Sequence, residues 1–192
     1  MLDIVANKIT DKLSLNGFFA PEERDVCFFG LQQGLHFIFT TMLILIIGIV
    51  TRNLLFVTVF LIAYIPLRSF AGGYHAANRF NCNLASCFMV VAMIVVFETL
   101  FISNVLLFVL LLFFGVSIIV ICPIGCKSKP LDKLEVKVYG KRTRIICTFE
   151  IYIAAVAILV DIPIVPLAIF LALVAVLILL ILGRLVHGSN RI

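Results

Sequence analysis

Charge is what this chain has least of. Only 13% of its 192 residues are Asp, Glu, Lys or Arg, and 64% are hydrophobic, against about 25% and roughly 45–50% in soluble domains. No soluble fold buries that excess, and the mean hydropathy of +1.25 makes lipid the main solvent. Nothing at the start resembles a cleaved signal peptide either. The first 27 residues hold Asp3, Asp11, Glu22, Glu23 and Asp25 without a continuous apolar core, so the first span is expected to act as the insertion signal. No internal repeat, low-complexity tract, phosphate-binding loop or Walker motif occurs, which leaves no sign of nucleotide hydrolysis. The formal net charge of +5 collects at span boundaries and is no nucleic-acid signal.

What is present organises into one compact helical bundle over residues 1–192. Leu2, Val5, Ile9 and Leu13 recur at helical spacing among Asp3, Lys8, Asp11 and Lys12, so residues 1–13 of the segment 1–27 predict an amphipathic interfacial helix. Pro21, Glu22 and Glu23 suit a helix start. Six apolar runs follow, at 31–50, 54–67, 84–102, 105–124, 145–160 and 163–183. The second and fifth fall short of the roughly 20 residues a straight crossing needs. The expected fold is therefore all-α: a polytopic membrane protein of six spans with an amphipathic N-terminal helix.

Loop charge predicts the orientation. Lys8, Lys12 and Arg24 precede the first span; Arg68 and Arg79 follow the second. Lys127, Lys129, Lys133, Lys137, Lys141, Arg142 and Arg144 follow the fourth; Arg184 and Arg191 follow the sixth. Of the 15 basic residues only Arg52 falls on the other side, so both termini are expected in the cytosol. Cys27, Cys82, Cys87, Cys122, Cys126 and Cys147 then lie near reducing ends of spans and are expected as thiols. Two carboxylates stand within spans: Glu98, expected to make an interhelical hydrogen bond or to stand neutral and protonated, and Glu150, expected near the depth of His75 and left open as an orienting group. His36, with Gln32 and Gln33, is expected to pack at the start of the first span.

The densest cluster of reactive side chains is residues 68–87, R-S-F-A-G-G-Y-H-A-A-N-R-F-N-C-N-L-A-S-C. Residues 68–83 are too polar to span, and Gly72 and Gly73 open backbone conformations closed to other residues, so a re-entrant or interfacial segment is expected. A histidine can take the proton of a cysteine thiol and return it to a leaving amine. His75 and Cys82, seven apart, would lie about 10.5 Å apart along one helix, too far for proton transfer. A break around Asn78 to Asn81 is expected for that reason. Asn78, Asn81 and Asn83 are candidates for an oxyanion hole or for orienting His75. Spacing alone leaves other readings open: an interfacial histidine with a buried thiol, a zinc site from His75, Cys82 and Cys87, or a redox or metal pair at Cys122 and Cys126.

The pattern R-x3-G-G-x-H-x6-C in a chain of this length resembles the accessory gene regulator B (AgrB) family of quorum-sensing membrane peptidases. The stretch C-P-I-G-C-K-S-K-P-L, with Pro123, Lys129, Pro130 and Leu131, resembles that family's Pro-containing basic loop. The resemblance implies catalysis by His75 and Cys82, flanked by Arg68, Gly72 and Gly73, without a metal or organic cofactor. It implies an AgrD-type precursor peptide as substrate: leader, pheromone core and acidic tail. The thiolate would displace the tail, leaving a thioester that a side chain of the peptide closes to a thiolactone or lactone. A homodimer in a Gram-positive cell membrane is implied as well. The 125–144 loop, with seven basic residues against Asp132 and Glu135, is expected to attract the acidic tail and anionic lipid. The alternative is a non-enzymatic polytopic protein, a transporter subunit or scaffold.

Overall fold

The computed structural model describes residues 2–73, 79–123 and 132–187. These form a 3-10 turn at Pro21–Glu23 and seven helices: α1 (Leu2–Leu15), α2 (Arg24–Val50), α3 (Leu54–Ala71), α4 (Arg79–Thr99), α5 (Asn104–Ile121), α6 (Lys133–Leu159) and α7 (Ile164–His187). The all-α expectation holds. Five helices are long and apolar enough to cross a membrane: α2, α3, α4 from Cys82, α5, and α7 to Leu185. The expected fifth span at 145–160 is the apolar half of α6, interrupted by Glu150, and does not qualify on composition. The count of six therefore stands one helix short on length and apolarity.

The chain divides into two compact units, Met1–Ile46 and Ile47–Ile192. In the first, α1 is held to α2 by polar contacts. Arg24 donates to Asp11 Oδ1 from Nη2 at 2.6 Å and to Asn7 Oδ1 at 2.8 Å. Gln32 donates to Asp3 Oδ1 at 2.7 Å, with His36 Nε2 3.6 Å from the same oxygen. Ala6 and Thr10 are buried, while Ile4, Val5 and Ile9 stay exposed, an apolar surface suited to an interface.

In the second unit α7 is central. It packs against α3, α4, α5 and α6, and Ala168 to Leu173 form an unbroken buried run. A helix apolar all round belongs inside a bundle. The buried stripe of α6 has the opposite chemistry. Gly140, Thr143, Cys147, Glu150, Ala154 and Ala157 recur every three or four residues, while Ile145, Phe149, Tyr152 and Ile153 point outward. Small and weakly polar residues let helices approach closely where lipid supplies no hydrophobic contrast. Gly115 on α5 marks the closest approach: a Cβ there would meet Ile151 Cδ1 at 2.5 Å and Cys147 Sγ at 3.3 Å.

Two turns, α2–α3 and α6–α7, close in the same way. The Asn53 N–H donates to the Gly48 carbonyl and the Ile162 N–H to the Ala157 carbonyl, both at 2.9 Å or less. Arg52 (φ 60°) and Asp161 (φ 61°) occupy the left-handed position between. This is the six-to-one closure of a Schellman turn. At the same end Asn53 Nδ2 donates to Glu98 Oε1 at 2.7 Å, the interhelical hydrogen bond expected for Glu98.

Candidate active site

The site is built from the last turns of α3, the first turns of α4 and the first half of α6. Along α3, Phe56, Phe60, Tyr64 and Arg68 recur every four residues and share one face. The rings are in register: Phe56–Phe60 centroids lie 6.1 Å apart and Phe60–Tyr64 5.4 Å, the latter stacked. Phe97 of α4 stacks on Phe56 at 4.2 Å. At the other end Arg68 follows Tyr64 by one helical turn on the same face. Arg68 Nη1 in turn donates to the Gly72 carbonyl.

That contact holds the chain where it leaves the helix. Gly72 (φ 77°) and Gly73 (φ 111°) both sit at positive φ, a region costly for residues with a Cβ. A Cβ on Gly73 would also lie 2.8 Å from the Leu179 carbonyl oxygen of α7 and 3.3 Å from Arg68 Nη1. The glycine pair thus lets the chain pass flat against the α7 backbone.

Cys82 is half-buried in the first turn of α4 as described. Arg79, Phe80 and Asn81 are helical, so the break expected around Asn78 to Asn81 does not extend into them: they continue into Cys82. His75 and Asn78 lie outside the described residues, as do the side chains of Arg79 and Asn81. Asn83 is half-buried on α4. Cys87, five residues beyond Cys82 on the same helix, points about 140° away from it. That separation is too large for one tetrahedral zinc, whose thiolates sit at about 2.3 Å from the ion. Cys122 is free in the described residues, and Cys126 lies outside them.

The basic stretch is a loop only in part. Asp132 precedes α6, and its N–H donates to Glu135 Oε2 at 3.1 Å, a capping-box arrangement that starts the helix. Lys133 to Arg144 are therefore helical, and Lys137, Lys141, Arg142 and Arg144 are exposed on it. Lys127, Lys129 and the Lys133 side chain lie outside the described residues. This cationic half of α6 adjoins the site. Tyr139 meets the Phe70 ring edge-on at 6.0 Å, and the Arg142 guanidinium lies 5.1 Å above the same ring. Phe70 stands between Arg68 and Gly72.

Glu150 is 6% exposed, and its Oε2 has no partner among the described residues. It lies eight residues past Arg142, about 12 Å along α6. It is therefore deeper in the bundle than the Phe70 level, and its depth relative to His75 lies outside the described residues. Phe70 and Tyr139 meet beside the Arg68–Gly72 turn, a contact that motif reasoning missed and no sequence signal flags.

Comparison with curated proteins and with solved structures gives no match. The family comparison does: a match to Accessory gene regulator B covers residues 5–182, from the amphipathic helix almost to the end of α7. The chain belongs to the accessory gene regulator B family.

Proposed function

We propose that this protein is a membrane cysteine endopeptidase that processes an AgrD-type precursor peptide, with Cys82 as nucleophile and His75 as base. Family membership supports the quorum-sensing role. The observation that supports the chemical reading is the Arg68–Gly72 contact at the end of α3, with Arg142 of the cationic half of α6 lying over Phe70 between them in the chain.

The Cys82 thiolate attacks the carbonyl before the acidic tail, after His75 takes its proton. The first turn of a helix offers N–H groups and the positive end of its dipole to the negative charge that develops there. Asn78, Asn81 or Asn83 can add an amide donor. His75 returns its proton to the leaving amine, and the tail departs. A nucleophilic side chain in the peptide then attacks the thioester, closing the ring and freeing Cys82. Lys127, Lys129, Lys133, Lys137, Lys141, Arg142 and Arg144 hold the acidic tail. Glu150 serves packing rather than catalysis. The site and both termini face the cytosol, α6 provides the sixth crossing, residues 1–192 act as one peptidase domain, and the enzyme works as a dimer in a Gram-positive cell membrane.

Co-expression with the cognate precursor tests this. Loss of cleavage in both Cys82→Ser and His75→Ala, with normal membrane insertion, is expected. Cleavage that persists in Cys82→Ser would reject the assignment in favour of a transporter subunit or scaffold.

A further inference from the structure

The cationic half of α6 is not uniform. Lys137, Lys141, Arg142 and Arg144 are all exposed, yet by helix geometry the other three project at least about 100° around α6 from Arg142. Tyr139 lies within about 60° of Arg142 and shares its face. That face meets the end of α3. The Arg142 guanidinium lies over the Phe70 ring, 5.1 Å from its centroid, and Tyr139 meets the same ring edge-on at 6.0 Å with an interplanar angle of 64°. Of the four cations, only Arg142 has an aromatic ring beneath it among the described residues.

Nothing acidic in this unit neutralises that guanidinium. The side-chain carboxylates of residues 47–192 are Glu98, Asp132, Glu135, Glu150 and Asp161, all of them described. None forms an ion pair with Arg142; the ion pairs of the described residues lie within α1 and α2. A ring attracts a cation from beneath through its quadrupole. It leaves the N–H donors at the guanidinium edge for an acceptor, and that fork matches a carboxylate at two points. A long cation at the end of a span otherwise reaches out to headgroups. Phe70 instead keeps this one beside the exit of α3, two residues before Gly72. A cation held in place before its ligand arrives loses less rotamer freedom on binding.

We infer that Phe70 and Arg142 form a seat for one carboxylate of the precursor's acidic tail: the ring fixes the guanidinium against the end of α3, and its free edge takes the carboxylate. The inference deepens the proposed peptidase reading and rests on it for the identity of the tail. It divides the cations into two roles. Arg142 binds at a fixed point with Phe70 as its positioning residue, whereas Lys137 and Lys141 attract the tail through a field that salt screens.

The test uses the full-length protein in phosphatidylcholine nanodiscs. Fluorescein-labelled hexaglutamate is the probe, hexaglutamine its control, and anisotropy the readout, so no cleavage is needed. Arg142→Lys keeps the charge, removes the fork and sits on an exposed position that folding does not depend on. It should weaken hexaglutamate binding about fivefold, as should Phe70→Leu, while Phe70→Tyr, which restores a ring, should bind as the parent does. In the Arg142→Lys background Phe70→Leu should cost nothing more. With precursor, Phe70→Leu should raise KM about fivefold at unchanged kcat, and should leave KM unaltered for a precursor whose tail carries Asn and Gln in place of Asp and Glu. Hexaglutamate that binds no better than hexaglutamine, full binding in Arg142→Lys, or additive losses in the double variant would overturn the inference. So would phosphatidylglycerol in the nanodisc abolishing the difference between Phe70→Leu and the parent, which would give the seat to lipid. If hexaglutamate binding falls as expected while Cys82→Ser still cleaves precursor, the peptidase reading fails and the carboxylate seat stands.

Discussion

The two ends of the unit formed by residues 47–192 are built on different principles. At one, α2–α3 and α6–α7 are joined by Schellman turns through Arg52 and Asp161, and α5 begins on a Ser103 cap whose oxygen accepts from the Leu106 N–H at 3.4 Å. A carboxylate there, Glu98, has its amide partner in Asn53. At the other end α3 runs out through two glycines at positive φ, α4 begins just before a half-buried cysteine, and α6 begins with a run of cations. One end satisfies its polar groups locally and holds helices together. The other gathers positive-φ glycines, a half-buried thiol and a run of cations.

Breaking the reactive end should cost most. Cys82→Ser is expected to lower precursor cleavage by at least about a thousandfold in a vesicle assay, whereas Cys87→Ser leaves it near the wild-type rate. Gly73→Ala comes next. The added Cβ meets the Leu179 carbonyl at 2.8 Å at a φ of 111°, so unfolding in mild detergent should show a loss of about 2–4 kcal/mol. Gly140→Ala, whose Cβ meets only Pro123 Cδ at 3.6 Å, should stay within about 0.5 kcal/mol of the parent. The pair separates a glycine required by its backbone from one that is merely small. Reversing the charges of Lys137 and Lys141 together should raise KM for an acidic-tailed precursor about tenfold at low salt, leave kcat unchanged, and lose most of its effect at high salt. The smallest effect belongs to the closed end. Arg52→Gly relieves a left-handed non-glycine residue and should stabilise the protein by about 0.5–1 kcal/mol without changing activity.

The same contrast explains what could be read from the sequence. Apolar runs in α2, α3, α4, α5 and α7 announce themselves, because a bilayer demands some 20 uninterrupted apolar residues and little else has them. The beginning of α6 hides for the reverse reason. Lys133 to Arg144 reads as a loop by charge, yet the Asp132–Glu135 capping contact and the small residues Gly140, Thr143 and Cys147 at helical spacing carry one helix straight through. Glu150 was visible as an anomaly, but its depth depends on which residue of α6 meets Phe70, a tertiary fact. Cys82, the proposed nucleophile, was legible only through the family pattern around Gly72, Gly73 and Cys82. Phe70 was not legible as a meeting point of α3 and α6, since its contacts with Tyr139 and Arg142 come from helix packing that no local pattern encodes.

The central claim is that Cys82 carries the peptide during the reaction. A precursor whose ring-forming nucleophile is replaced by alanine cannot close, so its thioester should persist. Incubated with the full-length enzyme in vesicles and quenched in acid, it should release its tail and leave the leader and core on the tryptic peptide containing Cys82, as a hydroxylamine-labile mass increase. Tail release without an adduct on Cys82, or with the adduct on another cysteine, would contradict the account.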